Sequence, residues 1–346
     1  MYKHLAAAGL VAVMALPASA TSITDRYTSF YVFGDSLSDD GKFTQLPATP
    51  PSVGGRFSNG EVWAEHIADD FEAAGRDTGN LAVGGATAGD GGTLTPLSNF
   101  NGQIDAFLGS IFGNTPLPER LAPAPTFGDA PPNPGENPLV AVWLGANDLF
   151  ASFAEADIVA AAKAVTDGIT RLATSPLGNF DDFLVANLPD LGATPANTTL
   201  LALAGATPEE IAFASRAATE ATDLFNLELK SNLEMLEDDL GVRIIDYDAN
   251  AVINDVIANP GNYPFASVTQ PCTVSLNAAN NPFVCSEAEA DLLLFTDAVH
   301  PNRIAQEITA NNIRVVVAAV PLPASLWLAL FAVGGLAAVG RRRKAA

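Results

Sequence analysis

Two stretches at opposite ends of the chain carry residue types that together could break a covalent bond. In the first, Phe30-Tyr31-Val32-Phe33-Gly34-Asp35-Ser36, an apolar, aromatic and β-branched run of strand type ends at a glycine, and a serine follows at once. A serine where a buried strand emerges faces the crevice in which open α/β sheets bind ligands, a place suited to a nucleophile; the same context also suits a turn serine capping a helix. A serine nucleophile needs a base, and the chain holds three histidines, His4, His66 and His300. His4 falls in a stretch read below as a removed leader, and His66 lies in the helical stretch 61–68, where an imidazole is ordinarily a surface or packing group. His300 follows the apolar run 292–295 and precedes Pro301, which predicts a helix beginning at the proline and extended backbone at the histidine. Asp297, three residues earlier, is placed to orient one imidazole nitrogen while the other faces Ser36, the arrangement of orienter, base and nucleophile.

Gly34-Asp35-Ser36-Leu37 and Asp297-Ala298-Val299-His300 resemble the first and last blocks of the GDSL family of lipases and esterases, also called SGNH hydrolases. Two further blocks stand in order between them. Asn80-Leu81-Ala82-Val83-Gly84-Gly85 resembles the second, and Gly145-Ala146-Asn147-Asp148 the third. The resemblance runs from about residue 30 to 317 and implies a flavodoxin-like α/β fold and a hydrolase of carboxylic esters acting through Ser36, His300 and Asp297; the leader read below makes it a secreted one. It also implies an oxyanion hole made by the Ser36 N–H, the Gly85 N–H and the Asn147 side chain, with a lipid or acylated carbohydrate ester as substrate and no cofactor or metal. Asp190, in Leu188-Pro189-Asp190-Leu191-Gly192, stands in a second family-like loop and is the rival orienter, ranked below Asp297. A non-catalytic, glycan-binding surface protein on the same fold is the alternative of a different class.

Attack on an ester carbonyl builds negative charge on oxygen, and preorganised N–H donors stabilise it far better than mobile water. A glycine donor suits this because a missing Cβ lets backbone approach the substrate. Asp35, Asp39 and Asp148 are assigned to scaffolding, since a carboxylate beside an oxyanion opposes the developing charge. The glycine-rich loop 54–60 resembles a family stretch near the mouth of the site, and it lacks the Gly-Lys-Ser/Thr ending of a nucleotide-binding loop.

The elements that must position these residues alternate. Strands are expected at 30–34, around Asn80, at 139–144, 183–188 and 242–247, with helices at 61–71, 156–172 and 207–240, the last stopped by Gly241. This alternation predicts a three-layer, doubly wound, largely parallel sheet. Residues 115–138 contain eight prolines and read as an extended surface loop, and 249–289 as an irregular excursion. That excursion carries Cys272 and Cys285, expected to form a disulfide in an oxidising compartment; two cysteines without nearby histidines make no usual metal site.

The ends read as address labels. Residues 1–20 have an early lysine, an apolar core and an Ala18-Ser19-Ala20 ending, the pattern of a cleaved secretory signal peptide. Residues 21–317 form one hydrolase domain, and 318–346 a C-terminal segment in which an apolar stretch ends at Arg341-Arg342-Arg343-Lys344. From Pro323 to Arg341 the stretch reaches the lower limit for a membrane span. With Val320-Pro321-Leu322-Pro323-Ala324 it resembles the PEP-CTERM sorting signal, which implies an exosortase-type processing enzyme. It also implies the surface of a Gram-negative bacterium, with transient or permanent anchoring in the inner membrane. The formal charge of −22 becomes about −27 once Lys3 and the four basic residues of the tail are removed. Such acidity repels nucleic acid and excludes it as a partner.

Overall fold

The computed structural model describes residues 22–42, 53–92, 95–111, 126–127, 133–176, 178–273 and 285–319. Its strands are β1 (Ser29–Gly34), β2 (Asp77–Asn80), β3 (Thr126–Phe127), β4 (Pro138–Trp143), β5 (Asp182–Ala186), β6 (Arg243–Tyr247), β7 (Ser267–Pro271) and β8 (Leu293–Phe295). The helices are α1 (Ile23–Arg26), α2 (Trp63–Ala73), α3 (Phe100–Ile111), α4 (Ala146–Ala151), α5 (Glu155–Ala173), α6 (Thr199–Leu203), α7 (Pro208–Leu240), α8 (Ala249–Ala258), α9 (Glu287–Ala290) and α10 (Arg303–Ala319).

Six strands form one sheet in the order β3-β2-β1-β4-β5-β6. All its pairings are parallel except the edge pair β2–β3. Such a sheet needs both faces covered, and β1 shows how the sequence supplies this: every one of its residues is buried. Side chains alternate across a strand. Phe30 therefore packs on Trp63 and Phe71 of α2 on one face, while Tyr31 and Phe33 pack on Phe107 of α3 on the other. Helix α10 joins α2 on the first face, and α5 and α7 join α3 on the second. The result is the expected three-layer, doubly wound α/β architecture.

Helix α7 begins with a capping box, Thr207 accepting from the Glu210 N–H and the Glu210 carboxylate from the Thr207 N–H, and it ends at Gly241 with φ of 69°.

Three expectations are corrected. The proline-rich loop contributes an antiparallel edge strand, β3, where Asn80 pairs with Thr126. The described part of the excursion after β6 carries regular elements: Asp248 accepts from the Ala251 N–H and starts α8, and β7 then pairs with β8 in a separate two-stranded sheet. Pro301 does not open the last helix. It bridges back to Phe295, and Asn302 caps α10 by accepting from the Ala305 N–H at 2.8 Å, because a side-chain acceptor satisfies an orphan helix donor as a proline cannot.

Cys272 and Cys285 are joined in a disulfide, with Cα atoms 5.3 Å apart. The Cys272 N–H donates to the Phe295 carbonyl, so the bridged segment is tied to β8, the strand that leads into Asp297 and His300. Among the described residues no helix is long and apolar enough to cross a membrane. The leader at 1–20 and the apolar stretch and basic cluster after residue 319 lie outside the described residues.

Candidate active site

Ser36 leaves the carboxyl end of β1, and His300 follows β8 on a loop held by its own backbone: the Thr296 N–H donates to the His300 carbonyl at 2.8 Å. These two elements place Ser36 Oγ 2.7 Å from His300 Nε2. On the other side of the ring, Nδ1 lies 2.7 and 2.9 Å from the two Asp297 oxygens. An ionised carboxylate only accepts, so Nδ1 carries the proton, which leaves Nε2 free to accept from the Ser36 hydroxyl. Asp297 Oδ1 also accepts from the backbone N–H groups of Val299 and His300. Burial disfavours charge on both groups, yet it is outweighed by their mutual attraction and hydrogen bonds. The Asp297 carboxyl is held below the usual carboxylate range and His300 above the usual imidazole value.

Gly85 and Asn147 line the same cavity as Ser36 and His300. Gly85 has φ of 79°, a conformation that excludes most side chains. Among the described residues no hydrogen bond engages the N–H of Ser36 or of Gly85, so both donors remain available. Asn147 Nδ2 donates to the Ala86 carbonyl at 2.9 Å and lies 3.5 Å from Asp35 Oδ2.

The three scaffolding carboxylates hold backbone, as expected from the sequence. Asp39 accepts from the N–H groups of Gly41, Lys42 and Gly84, and Asp148 from those of Ala88 and Gly89, so the loop presenting Gly85 is tied on both sides. Asp35 accepts from the Leu37 N–H, and burial pushes its carboxyl up to about 7. Asn80 donates to the Ser38 carbonyl at 2.8 Å and braces the serine turn from β2.

Asp190 lines the same cavity but makes no hydrogen bond to His300. It accepts from the Gly192 N–H and the Thr219 hydroxyl, holding the turn after β5 against α7. His66 stays on α2 with Nδ1 3.7 Å from Glu61. Phe57, from the glycine-rich loop 54–60, lines the cavity with its ring centroid 5.0 Å from that of His300. A Cβ on Gly84 would meet the Phe57 ring at 2.1 Å, so the glycine lets the aromatic lie flat against the loop that carries Gly85. Sequence reasoning missed much of the rest of the lining, among it Trp143 on β4, Phe150 on α4, Leu191, Ile253 on α8, Phe295 on β8 and Thr309 on α10, because strand and helix patterns mark such residues only as core.

The sequence model of the family described as GDSL-like Lipase/Acylhydrolase matches residues 30–313. The chain is 25% identical to "Lipase 1" of Photorhabdus luminescens, over 86% of this chain and 51% of that one. It is 26% identical to a phosphatidylcholine-sterol acyltransferase of Aeromonas hydrophila, over 54% of this chain and 52% of that one. The chain thus spans about half the length of these relatives. A solved structure of a member of the lipolytic protein G-D-S-L family from Veillonella parvula is similar with a TM-score of 0.40 and 12% identity, covering 84% of this chain and 99% of that one.

Proposed function

Because the chain belongs to the GDSL-like lipase/acylhydrolase family, we propose that it hydrolyses carboxylic esters with Ser36 as nucleophile, His300 as base and Asp297 as orienter. The observation that carries this reading is the hydrogen-bonded line from Ser36 Oγ through the imidazole to Asp297 at the wall of an apolar cavity.

The chemistry follows from the geometry. His300 Nε2 takes the Ser36 proton as Oγ attacks the ester carbonyl, and the imidazolium that forms is stabilised by Asp297. The carbonyl oxygen becomes an anion facing the Ser36 and Gly85 N–H groups and the Asn147 amide. Collapse of the tetrahedral intermediate breaks the bond to the alcohol oxygen, which receives the proton from Nε2. Water, deprotonated by the same nitrogen, then attacks the acyl-serine and releases the acid, returning the proton to Ser36 Oγ. The substrate is an ester of a lipid or an acylated carbohydrate. Hydrolysis of a short p-nitrophenyl ester by the purified domain tests the reading, and a folded domain inert toward every ester would leave the fold as a binding scaffold.

The ends complete the proposal. Residues 1–20 direct export, and residues 318–346 act as a sorting signal cut near Pro323 by an exosortase-type enzyme, leaving the hydrolase domain 21–317 at the surface of a Gram-negative bacterium. Support comes from the small-x-small ending at Ala20 and from the Val320-Pro321-Leu322-Pro323-Ala324, apolar and basic order of the tail. Intact mass of protein taken from the outer surface should lack both ends; a C-terminus still at Ala346 would mean an inner-membrane anchor.

A further inference from the structure

The glycine-rich loop 54–60 supplies no group of the triad, yet it is fastened to the segment that presents His300. Ser58 is wholly buried, and its hydroxyl donates to the Pro301 carbonyl at 3.1 Å, one residue past the imidazole. Asn59 Oδ1 accepts from the Arg303 N–H at 2.8 Å, and Asn59 Nδ2 donates at 3.0 Å to Asp291, the carboxylate that also accepts from Arg303 Nε. Gly60 has no room for a Cβ, which would meet Arg303 Cβ at 2.9 Å. On the other side of Phe57, Arg56 Nε donates to Glu65 of α2 at 2.7 Å. Phe57 thus stands between anchored neighbours, which fix where its ring can lie.

That ring has its centroid 5.0 Å from the His300 centroid, tilted by 41°, and is backed by Gly84, where a Cβ would meet it at 2.1 Å. The contact supplies something that the hydrogen bonds of the triad lack. Asp297 at Nδ1 and Ser36 at Nε2 hold the imidazole at two points of its own plane. A flat ring held in this way can still rock about the line through those points, and a group packed against its face stops the motion. Rocking turns the Nε2 lone pair away from the serine hydroxyl, and proton transfer depends on that alignment. The face of an aromatic ring also attracts a cation within about 6 Å, so it favours the imidazolium formed during attack over the neutral imidazole. Two carboxyl groups act on the same imidazole, Asp297 from its own loop and Asp35 from the turn after β1; both favour the cation, and burial opposes it.

Resting on the ester-hydrolase reading above, we propose that Phe57 is a positioning residue for His300, held in place by Ser58 and Asn59, which fixes the tilt of the imidazole and supports its cation. A leucine at this position keeps apolar bulk over the imidazole but offers no aromatic face, whereas a tyrosine keeps the ring.

Phe57→Leu in the full-length protein should therefore lower kcat on p-nitrophenyl esters about tenfold, by the same factor from acetyl to octanoyl. It should also move the midpoint of the pH profile of kcat/KM down by about 0.5 pH, and Phe57→Tyr should restore both. NMR titration of the His300 ring should show the same downward shift without substrate, and the chain has only two other histidines, His4 and His66, to tell apart from it. Thermal unfolding checks that each variant is folded, and Phe57→Met carries the same test should the leucine variant fail to fold. Unchanged midpoints in the Phe57→Leu protein, or a loss confined to KM that varies with chain length, would overturn the proposal and make Phe57 a wall for substrate, with the hydrolase reading intact. A folded wild-type protein inert toward every ester would instead remove the reading on which the proposal rests; the NMR midpoints need no substrate and keep the two failures apart.

Discussion

Ser36 Oγ and His300 Nε2 lie 2.7 Å apart although 264 positions separate the two residues in the chain. The contact is made by two different sheets, since β1 is central in the six-stranded sheet and β8 belongs to the small one with β7. Ser36→Ala should reduce ester hydrolysis by at least a thousandfold and change thermal stability little, because among the described residues the hydroxyl's hydrogen bond is to the imidazole alone. Turnover near the wild-type level would remove Ser36 from the role.

The choice between the two aspartates yields a ranking. Asp297→Asn should cost about a thousandfold or more in kcat, since a neutral amide neither fixes the Nδ1–H tautomer nor stabilises the cation. Asp190→Asn keeps an oxygen for the Gly192 N–H and the Thr219 hydroxyl, so its effect should stay below tenfold. Side-by-side kinetics decide, and the reverse order would transfer the orienting role to Asp190.

The pH profile of kcat/KM should rise with pH through a midpoint above the ordinary histidine value of 6.5. His300 must be neutral to accept the serine proton, and Asp297 favours its cation. Substituting Asp297 by Asn should move that midpoint down in whatever activity remains.

Asp35 contributes the opposite kind of pH effect, on stability. Its carboxyl ionises at about 3.9 when unfolded and at about 7 when folded, so between those values the native state binds more protons than the unfolded one. Stability from this group is therefore fully present below about pH 4 and declines as pH rises toward 7, by up to about 4 kcal/mol. Asp35→Asn, which can still accept from the Leu37 N–H, should gain stability over wild type at pH 8 and show little gain at pH 4. Urea unfolding at the two pH values measures the difference, and an equal effect at both would contradict the buried-carboxyl account.

Reduction of the Cys272–Cys285 bridge should lower unfolding stability by about 3 kcal/mol, the chain-entropy value for a loop of this size. The bridged segment touches β8 through the Cys272 N–H, so the loss should appear first as faster hydrogen exchange in β7 and β8. Chemical unfolding with and without reductant provides the check.

Much of the parallel sheet is legible in the amino-acid sequence, because buried strands write themselves as short apolar runs and their helices as periodic ones. The β1 run 30–34 and the α7 pattern closed by Gly241 are of this kind, since local sterics and capping decide them. The candidates Ser36, Asp297, His300, Gly85 and Asn147 could be named from the sequence through the resemblance of their short, contiguous blocks to a known family. Other features depend on contacts between segments far apart in sequence. Two residues within 115–138 form β3 only because the edge of β2 offers unpaired backbone groups, and Pro301 yields the helix start to Asn302 because it is drawn into a bridge with Phe295. Asp190 and Asp297 both look able to orient a base; which one reaches the imidazole depends on where β5 and β8 end in space. The rest of the cavity's lining is the least legible of all, since Trp143, Ile253, Phe295 and Thr309 come from four elements, and a residue's sequence neighbours do not say which cavity it will face once sheet and helices have packed.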